Sequence, residues 1–259
     1  MEGNILITGA IIIGGVVAVG LIAGYYATYS VRSQVLGKTT WCGKSDSHSV
    51  ALTFDDGPSE ETEQILNILK DYDIKATFFM IGSQVERFPE VARRVAREGH
   101  QIGNHSFSHP IFLYQFAHQI RHQLESTQKI ITNITGITPR LARPPCGTRT
   151  FAYFAAARTL GLKTIQWSVA GFDWKAIAPE KITENILKRV RPGSIVLLHD
   201  GDDTLKNSRY KTVLALPAII EGMLSKNLRV APLDELCDDT DKSAPELESI
   251  CLDGDNIYE

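Results

Sequence analysis

The sequence predicts an α/β protein, a distorted (β/α) barrel of about seven strands, preceded by one N-terminal transmembrane helix. Short apolar segments alternate with amphipathic helical segments along residues 48–237, and this alternation is typical of parallel strands joined by crossover helices. So many units in a domain of this length fit a closed barrel better than an open sheet. Residues 3–31, which precede the barrel, contain no charged side chain.

The individual elements follow from local patterns. Runs rich in β-branched and aromatic residues predict strands, at 50–54, 76–81, 101–103, 141–143, 163–169, 194–198 and 228–231. Apolar residues at helical spacing predict helices, at 60–72, 89–98, 113–132, 151–160, 182–190 and 214–225. Pro89 marks the start of one helix and Gly161 the end of another, as proline and glycine commonly do.

Residues 1–31 are predicted to form a membrane anchor. The stretch 5–24 consists almost wholly of aliphatic residues, glycine and alanine, and a helix of that length reaches about 30 Å, the thickness of a bilayer's hydrocarbon core. Three tyrosines follow where an interfacial aromatic belt is expected, namely Tyr25, Tyr26 and Tyr29. A signal sequence, cleaved or uncleaved, is the alternative, although no compelling cleavage site follows the apolar run.

The rest of the chain divides into a polar linker at 32–47, a catalytic body at 48–237 and an acidic tail at 238–259. The tail carries a net charge of −7 and few apolar residues, a composition that predicts disorder. The remaining chain carries +4 and has no basic stripe interleaved with aromatic residues, so a nucleic-acid partner is not expected. No obligate protein partner is evident either.

The four cysteines, at positions 42, 146, 237 and 251, form no CxxC pair. This spacing argues against a zinc site built from thiolates. Cys42 and Cys237 flank the predicted body, and two interpretations remain open for them. They form a disulfide if the body lies in an oxidising compartment, or they are small apolar residues.

Polar residues suited to chemistry follow the predicted strands at five places. These are Asp55 and Asp56, then His105 and His109, then Arg143, then Asp173 with Trp174, and finally His199 with Asp200. The carboxyl ends of parallel strands converge on one face of a barrel, and that face is where such barrels place their active sites. The sequence therefore predicts a single site at this face.

His105 and His109 are four residues apart, a spacing that lets both rings face one cation. A carboxylate from another strand end completes a set of two histidines and one aspartate, which is the open arrangement of a catalytic zinc site. Two adjacent aspartates at the end of a buried strand are costly unless a cation compensates their charge. The sequence therefore predicts a divalent metal centre.

Five motifs make the chain from about Val50 to Leu236 similar to the polysaccharide deacetylase family, also called the NodB homology domain or carbohydrate esterase family 4. The motifs are Thr53-Phe-Asp-Asp-Gly57, His105-Ser-Phe-Ser-His109, Arg143-Pro-Pro-Cys-Gly147, Asp173-Trp174 and Leu197-Leu-His199. The resemblance implies that Asp55 is the general base, that His199 is the general acid, and that the metal ligands are Asp56, His105 and His109. It implies a divalent metal, Zn²⁺ first, with Co²⁺ or another divalent ion as alternatives.

The resemblance also implies roles around the metal. The backbone N–H of Cys146 would help to hold the oxyanion, and Arg143 paired with Asp173 would orient Asp55. Three residues would line the substrate pocket, namely Trp174, Leu197 and Pro145. The chain departs from the family pattern at three positions, where Cys146 replaces an aromatic residue, Ala170 an aspartate and Thr150 an asparagine. These departures put the shape of the groove in doubt, but not the metal, the base or the acid.

These implications predict a membrane-anchored hydrolase that removes N-acetyl groups from N-acetylglucosamine polymers, either peptidoglycan or chitin-like glycan. One alternative is an O-acetyl esterase acting on xylan, or a cyclic-amide hydrolase of the same fold. An alternative of another class is a glycan-binding module without catalysis. Polymeric glycan lies outside the membrane, so we expect the body to be extracytoplasmic on a single-pass anchor. The three basic residues that follow the span oppose this orientation, and they are Arg32, Lys38 and Lys44.

Overall fold

The computed structural model describes residues 2–44, 48–175, 177–204 and 206–237, with side chains from residue 11 onward. The predicted acidic tail, 238–259, lies outside the described residues. So does part of the predicted linker, at 45–47.

A curled parallel sheet forms the centre of the described chain and confirms the predicted α/β barrel of about seven strands. The strands are β1 (Ser49–Asp55), β2 (Thr77–Met80), β3 (Gln101–Asn104), β4 (Leu141–Ala142), β5 (Lys163–Thr164), β6 (Val169–Ala170), β7 (Ile195–His199) and β8 (Arg229–Val230). Their order is β5-β4-β3-β2-β1-β7-β6, and β8 pairs with the beginning of β1.

The predicted strand at 163–169 is wrong in one respect, because it is two short strands at opposite ends of this order. β5 pairs with β4, whereas β6 pairs with β7. The five residue steps from Thr164 to Val169 span at most roughly 17 Å, so the two ends of the sheet face each other across a narrow gap. The sequence gives little sign of this interruption, because Ile165 and Trp167 continue the alternation of apolar residues that predicts a strand.

Helices cover the outside of the sheet. They are α2 (Glu60–Asp71), α3 (Gly82–Arg87), α4 (Pro89–Arg97), α5 (Ala117–Thr135), α6 (Phe151–Thr159), α7 (Pro179–Leu187), α8 (Tyr210–Ser225) and α9 (Leu233–Leu236). The sequence did not predict α3 and α9, which are short. The helix predicted from residue 182 begins at Pro179 instead, because proline is favoured in the first turn.

Side chains alternate between two apolar layers along β1 and β7, as the pleat of a strand requires. Leu52 and Phe54 belong to the layer between the sheet and the helices, whereas Ala51 belongs to the layer inside the barrel. On β7, Leu197 lies in the inner layer and Leu198 in the outer one. Asp55 therefore lies on the same face of β1 as Ala51, and His199 lies on the same face of β7 as Leu197. Both side chains face the inside of the barrel.

The helix α1 (Glu2–Tyr29) precedes the barrel. Its stretch Ile11–Tyr29 has a mean hydropathy of 1.9 and leaves most of its apolar side chains exposed. This stretch is long and apolar enough to cross a membrane. A signal sequence meets the same criteria of length and composition.

Arg149 fastens the end of α1 to the barrel. Its guanidinium is buried and donates to the carbonyls of Thr28, Ser30 and Ser33, and its backbone N–H donates to Thr28 at 3.2 Å. The last carbonyls of a helix have no partner within the helix, and a cation is favourable at this end. The described part of the predicted linker is also attached, since the N–H of Thr40 donates to the carbonyl of Thr164 at 2.9 Å.

Candidate metal and catalytic centre

Adjacent strands bring Asp55 and His199 together at the carboxyl edge of the sheet. β1 and β7 pair in parallel, and the register places Asp55 directly beside His199. Both side chains face the inside of the barrel, where the strand ends converge. The Asp55 side chain is 4% exposed and that of His199 is 13% exposed, so both are largely shielded from water while His199 retains access to the groove.

The turn after β1 directs the side chain of Asp56 towards His105 and His109. Asp56 has a left-handed backbone with φ +76°, which is uncommon for a residue other than glycine. The buried carboxylate of Asp200 holds this turn, because it accepts from the Gly57 N–H at 3.0 Å and from the Thr62 hydroxyl at 2.6 Å. A Cβ atom at Gly57 would lie 2.1 Å from this carboxylate, so only glycine fits there.

Burial, together with the charges of Asp56 and Asp55, raises the pKa of Asp200 to about 7. No role is predicted for Asp200 from the sequence, although it directly follows His199. The structure assigns it the support of the turn that carries Asp56.

Asp56, His105 and His109 converge, as the sequence predicts for metal ligands. One ligand atom from each lies within 4.8 Å of the other two. The Oδ1 atom of Asp56 is 3.4 Å from Nε2 of His105 and 3.3 Å from Nε2 of His109. This oxygen is buried and has no hydrogen-bond partner among the described residues. An orphaned carboxylate oxygen facing two imidazole nitrogens is a donor set that suits a divalent cation such as Zn²⁺.

The other ring nitrogen of each histidine has an acceptor that fixes the tautomer. Nδ1–H of His105 donates to the carbonyl of Arg143 at 2.7 Å, and Nδ1–H of His109 donates to the carboxylate of Asp203 at 3.2 Å. A proton on Nδ1 leaves the lone pair on Nε2, the nitrogen that faces Asp56. Burial lowers the pKa of His109, which favours the neutral ring that a metal requires.

Arg143 pairs with Asp55, and not with Asp173 as the resemblance to the family implies. Its Nη1 donates to the Asp55 carboxylate at 2.7 Å and to the Thr53 hydroxyl at 2.8 Å, and its Nη2 donates to the carbonyl of Gln166 at 2.9 Å. The guanidinium is fully buried and lies 4.2 Å from the centre of the Phe79 ring. Arg143 therefore contacts Asp55 directly.

Asp173 pairs with His199 instead, because both lie at neighbouring strand ends on the β6–β7 side of the sheet. Its carboxylate accepts from Nδ1–H of His199 at 2.9 Å and from the His199 backbone N–H at 2.7 Å. The Thr212 hydroxyl also donates to it, at 2.8 Å. Burial alone would lower the pKa of His199, but Asp173 outweighs it and the pKa is raised to about 9.

The predicted pocket residues surround this edge. Trp174 is 41% exposed and packs edge-on against the ring of His199, with 5.3 Å between the ring centres. Pro145 is buried, and Cys146 is exposed in a left-handed turn with φ +52°. Leu197 is 3% exposed and packs within the inner apolar layer. The roles of these four residues in substrate binding stay predictions.

Comparisons with known proteins identify the family of the chain. The polysaccharide deacetylase profile matches residues 43–165. A peptidoglycan-N-acetylglucosamine deacetylase of Bacillus cereus is 37% identical over 195 residues, covering 75% of this chain and 70% of the relative. A chitooligosaccharide deacetylase of Azorhizobium caulinodans is 33% identical over 208 residues, covering 77% of this chain and 99% of the relative.

A solved structure shows the same fold. The crystal structure of a peptidoglycan N-acetylglucosamine deacetylase superposes with a TM-score of 0.74 at 35% identity, covering 79% of this chain and 95% of that chain. The chain belongs to the polysaccharide deacetylase family. It is an enzyme of that family, a hydrolase acting on the carbon–nitrogen bond of linear amides.

Proposed function

We propose that this enzyme removes N-acetyl groups from N-acetylglucosamine units of peptidoglycan, with chitin-like glycan as the second candidate, and that it depends on a divalent metal, Zn²⁺ first. The observation that carries the proposal is the orphaned Oδ1 of Asp56 between two histidine Nε2 atoms, with Asp55 and His199 beside it. The relatives named above, which include deacetylases of both glycans, support the choice of substrates.

Asp56, His105 and His109 would hold the metal. A divalent cation in this position supplies the charge that polarises the acetyl carbonyl and activates a water molecule. The tautomers set by Arg143 and Asp203 keep both Nε2 lone pairs directed at the site.

Asp55 is the proposed general base, because it is a buried carboxylate beside the ligands that is not itself one of them. Arg143 and the strand fix its orientation, so it can accept the proton of the attacking water. The backbone N–H of Cys146 is the proposed donor to the oxyanion, a contribution of about 3 kcal/mol to the transition state in comparable sites. Arg143 supports Asp55, and Asp173 supports His199.

His199 is the proposed general acid. Its Nδ1–H is bound to Asp173, so Nε2–H of the charged ring is the group available to protonate the departing sugar amine. The carbon–nitrogen bond then breaks, and acetate and the free amine are released. Trp174 and Leu197 are proposed to enclose the acetyl methyl, with Pro145 on the opposite wall.

Acetate release from a panel of glycans tests this function. We expect turnover with peptidoglycan, weaker turnover with chitooligosaccharides, and loss of activity on dialysis against a chelator followed by recovery with zinc or cobalt. Preference for acetylated xylan would instead favour the O-acetyl esterase. Glycan binding without acetate release at any added metal would favour the binding module.

The fall of activity at high pH should report His199. Histidine is charged below its pKa, so a pKa raised to about 9 keeps the acid form present through neutral pH. We expect kcat/KM to fall as the pH rises through about 9 or somewhat below, because a bound cation lowers this pKa. Asp173→Asn removes the carboxylate that raises the pKa and should move the fall to lower pH. A pH profile that is the same in both proteins would contradict His199 as the acid.

The proposed location is the outer face of the cell membrane, with residues 1–31 as a single-pass anchor, 32–47 as a connection and 48–237 as the catalytic domain. The largely exposed apolar stretch Ile11–Tyr29 supports an anchor, and an extracellular polymer as substrate supports the outward orientation. Protease treatment of intact cells should digest the domain, and complete protection would count against this orientation.

A further inference from the structure

The two proposed histidine ligands differ in the group that accepts a hydrogen bond from Nδ1–H. His105 donates from Nδ1 to a backbone carbonyl, whereas His109 donates from Nδ1 to the carboxylate of Asp203. We propose that Asp203 is a positioning residue for the metal site, which fixes the ring of His109 and strengthens its Nε2 as a ligand. This inference rests on the proposed function, because it concerns the same metal.

Asp203 lies in the turn between β7 and α8, whereas His109 lies in the loop after β3. Two strands, β1 and β2, separate β7 from β3 in the sheet. The contact between Asp203 and His109, 3.2 Å from Oδ2 to Nδ1, therefore spans the mouth of the barrel. It joins a ligand on one side of the groove to the segment that carries the proposed general acid on the other.

Neighbouring residues hold the turn in place without the help of Asp203. The Asp202 carboxylate accepts from the backbone N–H of Lys206 at 3.0 Å and from Nη2 of Arg209 at 3.0 Å. Nε of Arg209 also donates to the carbonyl of Gly201 at 2.9 Å. The position of Asp203 therefore does not depend on its own carboxylate. Among the described residues, that carboxylate accepts a side-chain hydrogen bond from His109.

A carboxylate behind a metal-binding imidazole has two effects. It accepts the Nδ1 proton, which keeps the lone pair on Nε2, and its charge makes Nε2 a stronger donor to the metal. Removing such a partner typically lowers metal affinity by about 10- to 100-fold. The Asp203 side chain is 38% exposed, so water screens part of its charge and the lower end of this range is expected.

The test is the dissociation constant of zinc, measured by chelator competition on the full-length protein in detergent. We expect Asp203→Ala to raise it about tenfold and Asp203→Asn to raise it less, because the asparagine oxygen still accepts from Nδ1–H. Asp71→Asn is the matched control, since it removes one acidic charge from an exposed position at the end of α2. It should leave zinc affinity unchanged.

Two results would overturn the inference, namely equal zinc affinity in Asp203→Ala and the parent, or an equal loss in Asp71→Asn. The readout is separate from catalysis. A parent that binds zinc but releases no acetate contradicts the proposed function and leaves the role of Asp203 to be decided by the affinities. In an active parent, we further expect added zinc to restore much of the rate of Asp203→Ala.

Discussion

Replacement of Asp55 by asparagine is expected to lower kcat/KM by about 10²- to 10⁴-fold, the range that general bases contribute, while zinc still binds. Asparagine has nearly the same shape, and its oxygen can still accept from Nη1 of Arg143. It cannot take a proton from water. The three proposed ligands are other residues, so the zinc dissociation constant should change little.

The measurements for this variant are acetate release, zinc affinity and the unfolding midpoint. Asp71→Asn again serves as the matched control for charge. Near-parental activity in Asp55→Asn would remove Asp55 from the role of base. Loss of both activity and zinc binding would make Asp55 a metal ligand. The two atoms concerned, Oδ2 of Asp55 and Nε2 of His105, are 3.8 Å apart, so zinc affinity is measured to separate this outcome from the loss of a base.

Among the substitutions proposed, replacement of Arg143 by methionine should lower the free energy of unfolding most. Arg143 and Asp55 are both buried, and the change leaves a buried carboxylate without its cation. Breaking a buried pair in this way typically costs about 3–5 kcal/mol. The change also removes the bonds to Thr53 and to the carbonyl of Gln166, so the free energy of unfolding should fall by at least this amount.

Urea unfolding in the presence of a chelator measures this effect without a contribution from bound metal. Arg140→Met is the matched control, because Arg140 is exposed and lies three residues earlier. It should change the unfolding free energy by less than about 0.5 kcal/mol, as surface substitutions usually do. An Arg143→Met protein as stable as the control would show that the buried pair does not support the fold.

The sequence predicted the positions of the site residues better than it predicted their pairing. Alternation along a strand is a local property, so the strand ends identify Asp55 and His199 as residues of one edge. His105 and His109 belong to one loop, which is a local feature of the sequence. Asp56 belongs to another loop, and its convergence with the histidines was predicted because the ends of parallel strands meet at one face of a barrel. The structure places the three residues together.

The partners of Arg143, Asp173 and His109 depend on contacts between distant segments. Arg143 reaches Asp55 across 88 positions of sequence, and His109 reaches Asp203 across 94. Which carboxylate lies nearest to each cation is decided by the order of strands and by the path of the turns. No spacing in the sequence records that order. The acidic pair Asp202 and Asp203 was the signal available for the second contact, but acidic pairs in turns are common.

The attachment of α1 by Arg149 limits where the catalytic domain can act. A domain of this size has a radius of gyration of about 16 Å. The hydrogen bonds from Arg149 to the carbonyls of Thr28, Ser30 and Ser33 hold the domain directly against the end of the helix. If α1 crosses the bilayer, the catalytic centre at the carboxyl edge of the sheet stays within about 30 Å of the lipid surface, which is twice the radius of gyration. Newly exported glycan next to the membrane would then be deacetylated in preference to older outer layers. Uniform deacetylation through the thickness of the wall would contradict this consequence.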